Sequence, residues 1–181
     1  TNGRLLTSPD GLSWTEVNTG HNVEFEAVAC GGGQYVVVGE GGMVITSSSG
    51  TAWSSNLVGN QIDLYGLAQN GPLLVAVGEK GTILTSSDGR VWTPCPSTTT
   101  RDLHAVHCAN GLFVAAGKTG TILTSSDGLT WTQRSSGSAN YLERVAWANG
   151  LWVVVGEGGD ICTSTNGLAW TKVNTDVPAV G

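Results

Sequence analysis

The stretch TSSDGLTW, residues 124–131, occurs in five versions along the chain. TSPDGLSW is residues 7–14, TSSSGTAW residues 46–53, TSSDGRVW residues 85–92 and TSTNGLAW residues 163–170. The tryptophans Trp14, Trp53, Trp92, Trp131 and Trp170 are spaced by 39 residues throughout, with no insertion or deletion. Each version reads as strand, tight turn, strand. An apolar, β-rich run leads in, as in Thr121-Ile122-Leu123-Thr124. Glycine then takes a positive φ without steric cost, and the residue before it caps local N–H groups. The glycines are Gly11, Gly50, Gly89, Gly128 and Gly167, and the capping residues are Asp10, Ser49, Asp88, Asp127 and Asn166. A catalytic carboxylate could not be replaced by Ser or Asn, whereas a hydrogen-bond acceptor in a turn can. The variation within this one chain therefore assigns the acids to the turn and the tryptophans to the core.

Working outward from the turn, whole units start at Phe25, Leu64, Leu103 and Leu142. They divide one domain, 1–181, into a half repeat (1–24) and repeats 25–63, 64–102, 103–141 and 142–181. Each whole repeat holds four strands. In the third, strand one is residues 103–109, ended by Asn110-Gly111, strand two 112–117, and strand three 121–125, while strand four surrounds Trp131. Asn-Gly and Asp-Gly between apolar runs are hairpin signals. Strand two is apolar throughout, as in Val36-Val37-Val38 and Val75-Ala76-Val77, which implies burial on both faces. A small sheet buried on both faces must lie between two others. Radial stacking of such sheets is an all-β propeller, and about 40 residues is one blade. A β-solenoid fits less well, because its coils are shorter and tight hairpins make antiparallel meanders.

The unit GTILTSSDGLTW, residues 120–131, resembles the Asp-box or BNR repeat of bacterial propellers. It is also similar to the repeats of the photosystem II assembly-factor (Ycf48-like) family. The Asp-box pattern is S-x-D-x-G-x-T-W; here it is one residue shorter, with Asp127 directly before Gly128. The resemblance covers the whole chain and implies the fold. It places the box between strands three and four, away from ligand sites.

The half repeat carries strands three and four alone, with Leu5, Leu6 and Trp14 at positions that are core in other copies. The tail, residues 174–181, holds no counterpart of strands one and two. The expectation is self-association or a longer parent chain. An opening Thr1 in place of Met reads as a mature or trimmed product.

A net charge of −6 excludes the basic stripe that nucleic acid requires. No apolar run reaches the length of a membrane span. Cys30, Cys95, Cys108 and Cys162 have no metal-type spacing and are expected as free thiols. Cys162 replaces Leu6, Ile45, Leu84 or Leu123 of other copies and reads as a small buried hydrophobe. Neither cofactor nor metal is expected. The compartment is not legible; a secreted or cell-surface setting is the expectation.

In a propeller the links between blades and the turns between strands two and three share the channel mouth. Glu24, Asp63, Asp102 and Tyr141 are equivalent at the ends of the links, and Glu40, Glu79, Lys118 and Glu157 are equivalent in the turns. This predicts an acidic rim with one basic interruption, either a solvated edge or a contact surface for a cation, a basic partner or a glycan. Trp147, where other copies have Cys30, Gln69 and Cys108, joins the rim as a stacking candidate. A sialidase would need three arginines gripping a carboxylate and a tyrosine nucleophile. Arg4 and Arg90 lie away from the mouth, and Tyr35, Tyr65 and Tyr141 are unremarkable in context. His104 and His107 read as packing or rim residues facing opposite sides of the sheet. The reading is a non-enzymatic propeller for binding or self-assembly. A carbohydrate-binding lectin is the alternative, and a glycoside hydrolase a remote one.

Overall fold

The computed structural model describes residues 3–31 and 33–173. The glycines and hairpin signals cut the chain into short strands, each pairing with its neighbour in sequence. β1 (Leu5–Thr7) and β2 (Thr15–Val17) form a two-stranded sheet. Four four-stranded antiparallel sheets follow among the described residues. Blade 1 holds β3 (Phe25–Gly31), β4 (Gln34–Gly39), β5 (Met43–Ser47) and β6 (Ser54–Leu57). Blade 2 holds β7 (Leu64–Asn70), β8 (Leu73–Gly78), β9 (Ile83–Ser86) and β10 (Thr93–Pro94), its last strand cut short at proline. Blade 3 holds β11 (Leu103–Ala109), β12 (Leu112–Gly117), β13 (Thr121–Ser125) and β14 (Thr132–Ser135). Blade 4 holds β15 (Leu142–Ala148), β16 (Leu151–Gly156), β17 (Ile161–Ser164) and β18 (Thr171–Val173). The fold is the propeller that the repeat implied, a half repeat followed by four blades. The tail, residues 174–181, lies outside the described residues.

The core lies between blades. Val36, Val38 and Val44 of blade 1 meet Leu64, Leu74, Ala76 and Leu84 of blade 2. Val75, Val77 and Ile83 meet Leu103, Phe113, Ala115 and Leu123 of blade 3. Val114, Ala116 and Ile122 meet Leu142, Trp152, Val154 and Cys162 of blade 4. One side of each blade thus presents strand-two and strand-three residues forward, and the next blade covers them. Strand two is buried on both faces in blades 1 to 3, as its apolar run implied. In blade 4 it is not: Val154 is buried but Val155 is 39% exposed, because no described blade covers it.

The Asp-Gly turn is built alike in all five copies. The serine hydroxyl two residues before the capping position accepts from the glycine N–H, as Ser125 Oγ does from Gly128 at 2.8 Å and Ser8 Oγ from Gly11 at 2.8 Å. Asp127 Oδ1 accepts from Leu129 N and Thr130 N, both at 2.8 Å, and Asn166 Oδ1 does the same from Leu168 and Ala169. These two N–H bonds hold the Asp127 carboxyl at about 2, below its ordinary 3.8. The tryptophan indole closes each turn by donating to the glycine carbonyl, from 3.2 Å for Trp14 to 2.9 Å for Trp170.

Burial of the tryptophans is another matter. Trp131 is buried, while Trp53, Trp92 and Trp170 are partly buried. Trp14, expected in the core, is 60% exposed. The half-blade has no strand two of its own to flank the ring, and no described blade precedes it.

Candidate functional site

At the end of each blade opposite the Asp-Gly turn, the edge expected to form the mouth, three devices repeat. The first is a glycine. Gly39, Gly78, Gly117 and Gly156 end strand two, and a Cβ on any of them would fall on the carbonyl oxygen of Glu24, Asp63, Asp102 or Tyr141 respectively. Their backbone is extended, so space rather than φ demands glycine. The second is the turn itself, whose central residue is left-handed: Gly41, Lys80, Thr119 and Gly158 have φ between 54° and 67°.

The third is a β-bulge at the first step of each inner strand. The register slips between Phe25 and Ala27, Leu64 and Gly66, Leu103 and Ala105, and Leu142 and Arg144. The extra residues are Glu26, Tyr65, His104 and Glu143, one per blade. A bulge re-aims the side chain it carries. Here it sets residues of neighbouring blades against each other. The Tyr65 ring stacks on His104 with centroids 4.2 Å apart and planes 13° off parallel. Tyr141 lies on His104 at 4.5 Å and 57°, its hydroxyl bonded to Nε2.

The rim acids are divided in their duties. Asp63 Oδ1 accepts from Gly41 N at 2.7 Å, and Asp102 Oδ1 from Lys80 N at 2.8 Å. Each thus ties the entry of one blade to the turn of the blade before. Asp102 Oδ2 also pairs with Lys118 Nζ at 2.5 Å, and that ammonium stands 6.0 Å from the centre of the Tyr141 ring. Burial opposes ionisation of Asp102, but the Lys118 and Lys80 bonds outweigh it and its carboxyl lies below the ordinary value. Lys118 is raised in turn, first by that hydrogen bond. Glu40 Oε2 accepts from Glu24 N at 3.3 Å, and Glu79 pairs loosely with Lys80 at 3.4 Å. Glu157 N donates to the Tyr141 carbonyl at 2.8 Å.

Tyr65 reports the local field. Its phenol is pushed up to about 12, first by burial and then by the charges of Asp63, Glu79 and Asp102. His104 is lowered, chiefly by burial, so it is neutral near pH 7. Tyr65, His104 and Tyr141 thus form an aromatic wall beside the charges of Asp63, Glu79 and Asp102.

Trp147 does not belong to this mouth. It pairs in register with Trp152, and the two rings pack at 5.1 Å. It stands five residues along β15 from Leu142, about 17 Å at strand rise, near the opposite end of the blade. The equivalence to Cys30 and Cys108 gave its repeat position, but not which end of the strand that position occupies. Conversely, Tyr65 was passed over. The one signal for it in the sequence is that the position 26, 65, 104, 143 has no consensus while the one before it is Phe or Leu in every copy. His107 makes an edge contact with Trp152 of blade 4, whereas His104 reaches back to blade 2. Arg4 pairs with Glu16 and Arg134 with Thr124, while Arg101 donates to the Thr119 carbonyl and Arg144 to the Glu143 carbonyl, so these arginines do not converge on one point. Among the described residues no group of three His, Cys, Asp or Glu is placed to hold a metal ion.

No protein-family model and no curated protein matches this chain. Solved structures do. A chain of Ycf48 bound to a D1 peptide is 16% identical, with a TM-score of 0.66, covering 86% of this chain and 55% of its own length. Ycf48 from Cyanidioschyzon merolae is 14% identical at a TM-score of 0.69, covering 91% of this chain and 61% of its own. The computationally designed Ika4 protein is 15% identical at 0.66, covering 81% of this chain and 93% of its own. The likeness is one of fold. This chain spans little more than half the length of the two Ycf48 chains.

Proposed function

We propose that this chain is a non-enzymatic β-propeller scaffold for binding or self-assembly, and that its acidic mouth takes a basic segment of a protein partner. The observation that carries the mouth reading is Lys118. The chain's own ammonium lies between Asp102 and the Tyr141 face, the pair of contacts that a partner's Lys or Arg would make. The Lys118 side chain is 53% exposed. An ion pair that open is weak and screened by solvent, so an incoming cation can displace it. A peptide bound to a Ycf48 propeller supports a polypeptide partner for this architecture. A lectin with one site per blade is disfavoured, because the equivalent positions Glu26, Tyr65, His104 and Glu143 are not one repeated residue: two are acidic and two aromatic.

Calorimetric titration with a lysine-rich peptide and its glutamate counterpart tests this. The lysine-rich peptide should bind, more weakly as salt rises. Lys118→Met should tighten binding by removing a competing ammonium, and Tyr65→Ala should weaken it. Acidification through the His104 pKa, which lies below 6.5, should also weaken it. Protonation adds a positive charge beside Lys118 and Arg144 and offsets Asp102 and Glu143. Equal binding of both peptides, or looser binding by Lys118→Met, would refute the assignment.

A further inference from the structure

The joints inside the chain show what covers each face of a blade. At the three joints between whole blades the Asp-Gly turn of the later blade lies against strand two of the earlier one. A Cβ on Gly89 would stand 2.7 Å from Val36 Cγ2, one on Gly128 2.7 Å from Leu73 Cδ2, and one on Gly167 would press on Leu112. Trp131 packs into the same joint as Leu73 and Val75.

Two faces of this kind lack their mates among the described residues. On the half-blade, a Cβ on Gly11 would meet nothing within 4 Å, Leu6 is 45% exposed and Trp14 60% exposed. Leu84 and Leu123, the equivalents of Leu6, are 2% and 0% exposed. Apolar surface continues from there onto blade 1 as a cleft of about 490 Å³ that also reaches Val28, Tyr35 and Trp53. At the other end, Leu151, Val153, Val155 and Ile161 of blade 4 hold the positions of Leu112, Val114, Ala116 and Ile122. Val114, Ala116 and Ile122 are fully buried under blade 4. The first uncovered face has the residues of a blade's rear, and the second those of a blade's front.

We infer that these two faces mate between copies: Leu151, Val153 and Val155 of one molecule close over Leu6, Gly11 and Trp14 of the next. The joint repeats the part of the blade 3–blade 4 joint that Cys162, Gly167 and Trp170 make, since the half-blade has no counterpart of Leu142, Trp152 and Val154. It rests on the self-assembly part of the reading above and names the surfaces. The contact is heterologous, so each molecule offers one face of each kind, and assembly runs head to tail into a ring or a filament.

Sedimentation velocity of the intact chain and of two variants decides this. The parent should sediment as species larger than a monomer, growing with concentration. Trp14→Lys and Val155→Lys should each be monomeric alone. An equimolar mixture should give a species of twice the monomer mass and nothing larger, since each variant keeps one working face. That mixture also checks folding, because either variant can pair only through the face it retains. A parent that stays monomeric refutes both this joint and self-assembly. A parent that assembles, with both variants assembling equally well, refutes the joint alone.

Discussion

Blade 3 and the half-blade carry nearly the same eight residues and reach opposite states. In both, serine and aspartate oxygens hold the turn and the indole donates to the glycine carbonyl, at 3.0 Å for Trp131 and 3.2 Å for Trp14. Yet Trp131 is 4% exposed and Trp14 is 60% exposed. Trp131 has Phe113 of its own strand two at 6.2 Å on one side and blade 2 on the other. Trp14 has neither. The turn is thus a local object that forms in either setting, and it contributes to the core only where another sheet lies against it.

The sharpest way to break this comparison is to truncate both rings. Trp131→Ala should cost about 3–5 kcal/mol, the usual penalty for emptying a buried aromatic site. Trp14→Ala should stay within about 0.5 kcal/mol under conditions where the chain is monomeric. Urea midpoints measure both, and equal shifts would mean that the two rings are equally buried in solution. A second pair isolates the neighbour's contribution from the backbone's. Gly11 and Gly128 have φ of 73° and 74°, so an alanine at either meets the same left-handed strain of about 1–2 kcal/mol. Only Gly128→Ala adds a clash with Leu73, at a further cost of about 1–3 kcal/mol. If the two alanines cost the same, blades 2 and 3 are not as closely packed as described.

The smallest effect concerns acid. Asp127 has a folded pKa of about 2 against an ordinary 3.8. Its contribution is therefore complete above about pH 4 and is lost as pH falls through 2. Asp127→Asn, which copies Asn166 of blade 4, should keep the turn's N–H bonds and flatten the fall of Tm between pH 4 and 2. Asp10, lowered by the bonds from Ser13 and Leu12, should behave in the same direction. A Tm profile for Asp127→Asn as steep as the parent's would place the acid sensitivity in other carboxylates.

Much of the blade was legible because its signals are short. Asn110-Gly111 marks a hairpin with φ of 50° and 71°, and β11, β12 and β13 begin and end where the glycines and the apolar run place them. The mouth was legible in part. Equivalent positions brought the acids to one end, but Asp63 and Asp102 bind the backbone of the preceding blade there. The aromatic wall was hidden, since Tyr65 and Tyr141 lie 39 and 37 residues from His104 and meet it only because a bulge turns the inner strands' second residue towards the next blade.

The sequence by itself determined the repeat, the strands and the turn chemistry. Each depends on partners within a few residues: a serine hydroxyl to the glycine three positions on, an aspartate to the N–H groups two and three beyond it, an indole to the glycine three positions back. Tertiary structure alone decided which copies of the tryptophan are covered, where Trp147 sits, and that Tyr65, His104 and Tyr141 share one wall. Burial and cross-blade stacking have no local partner. They depend on what lies across the joint, and five near-identical stretches cannot specify which of them has a neighbour.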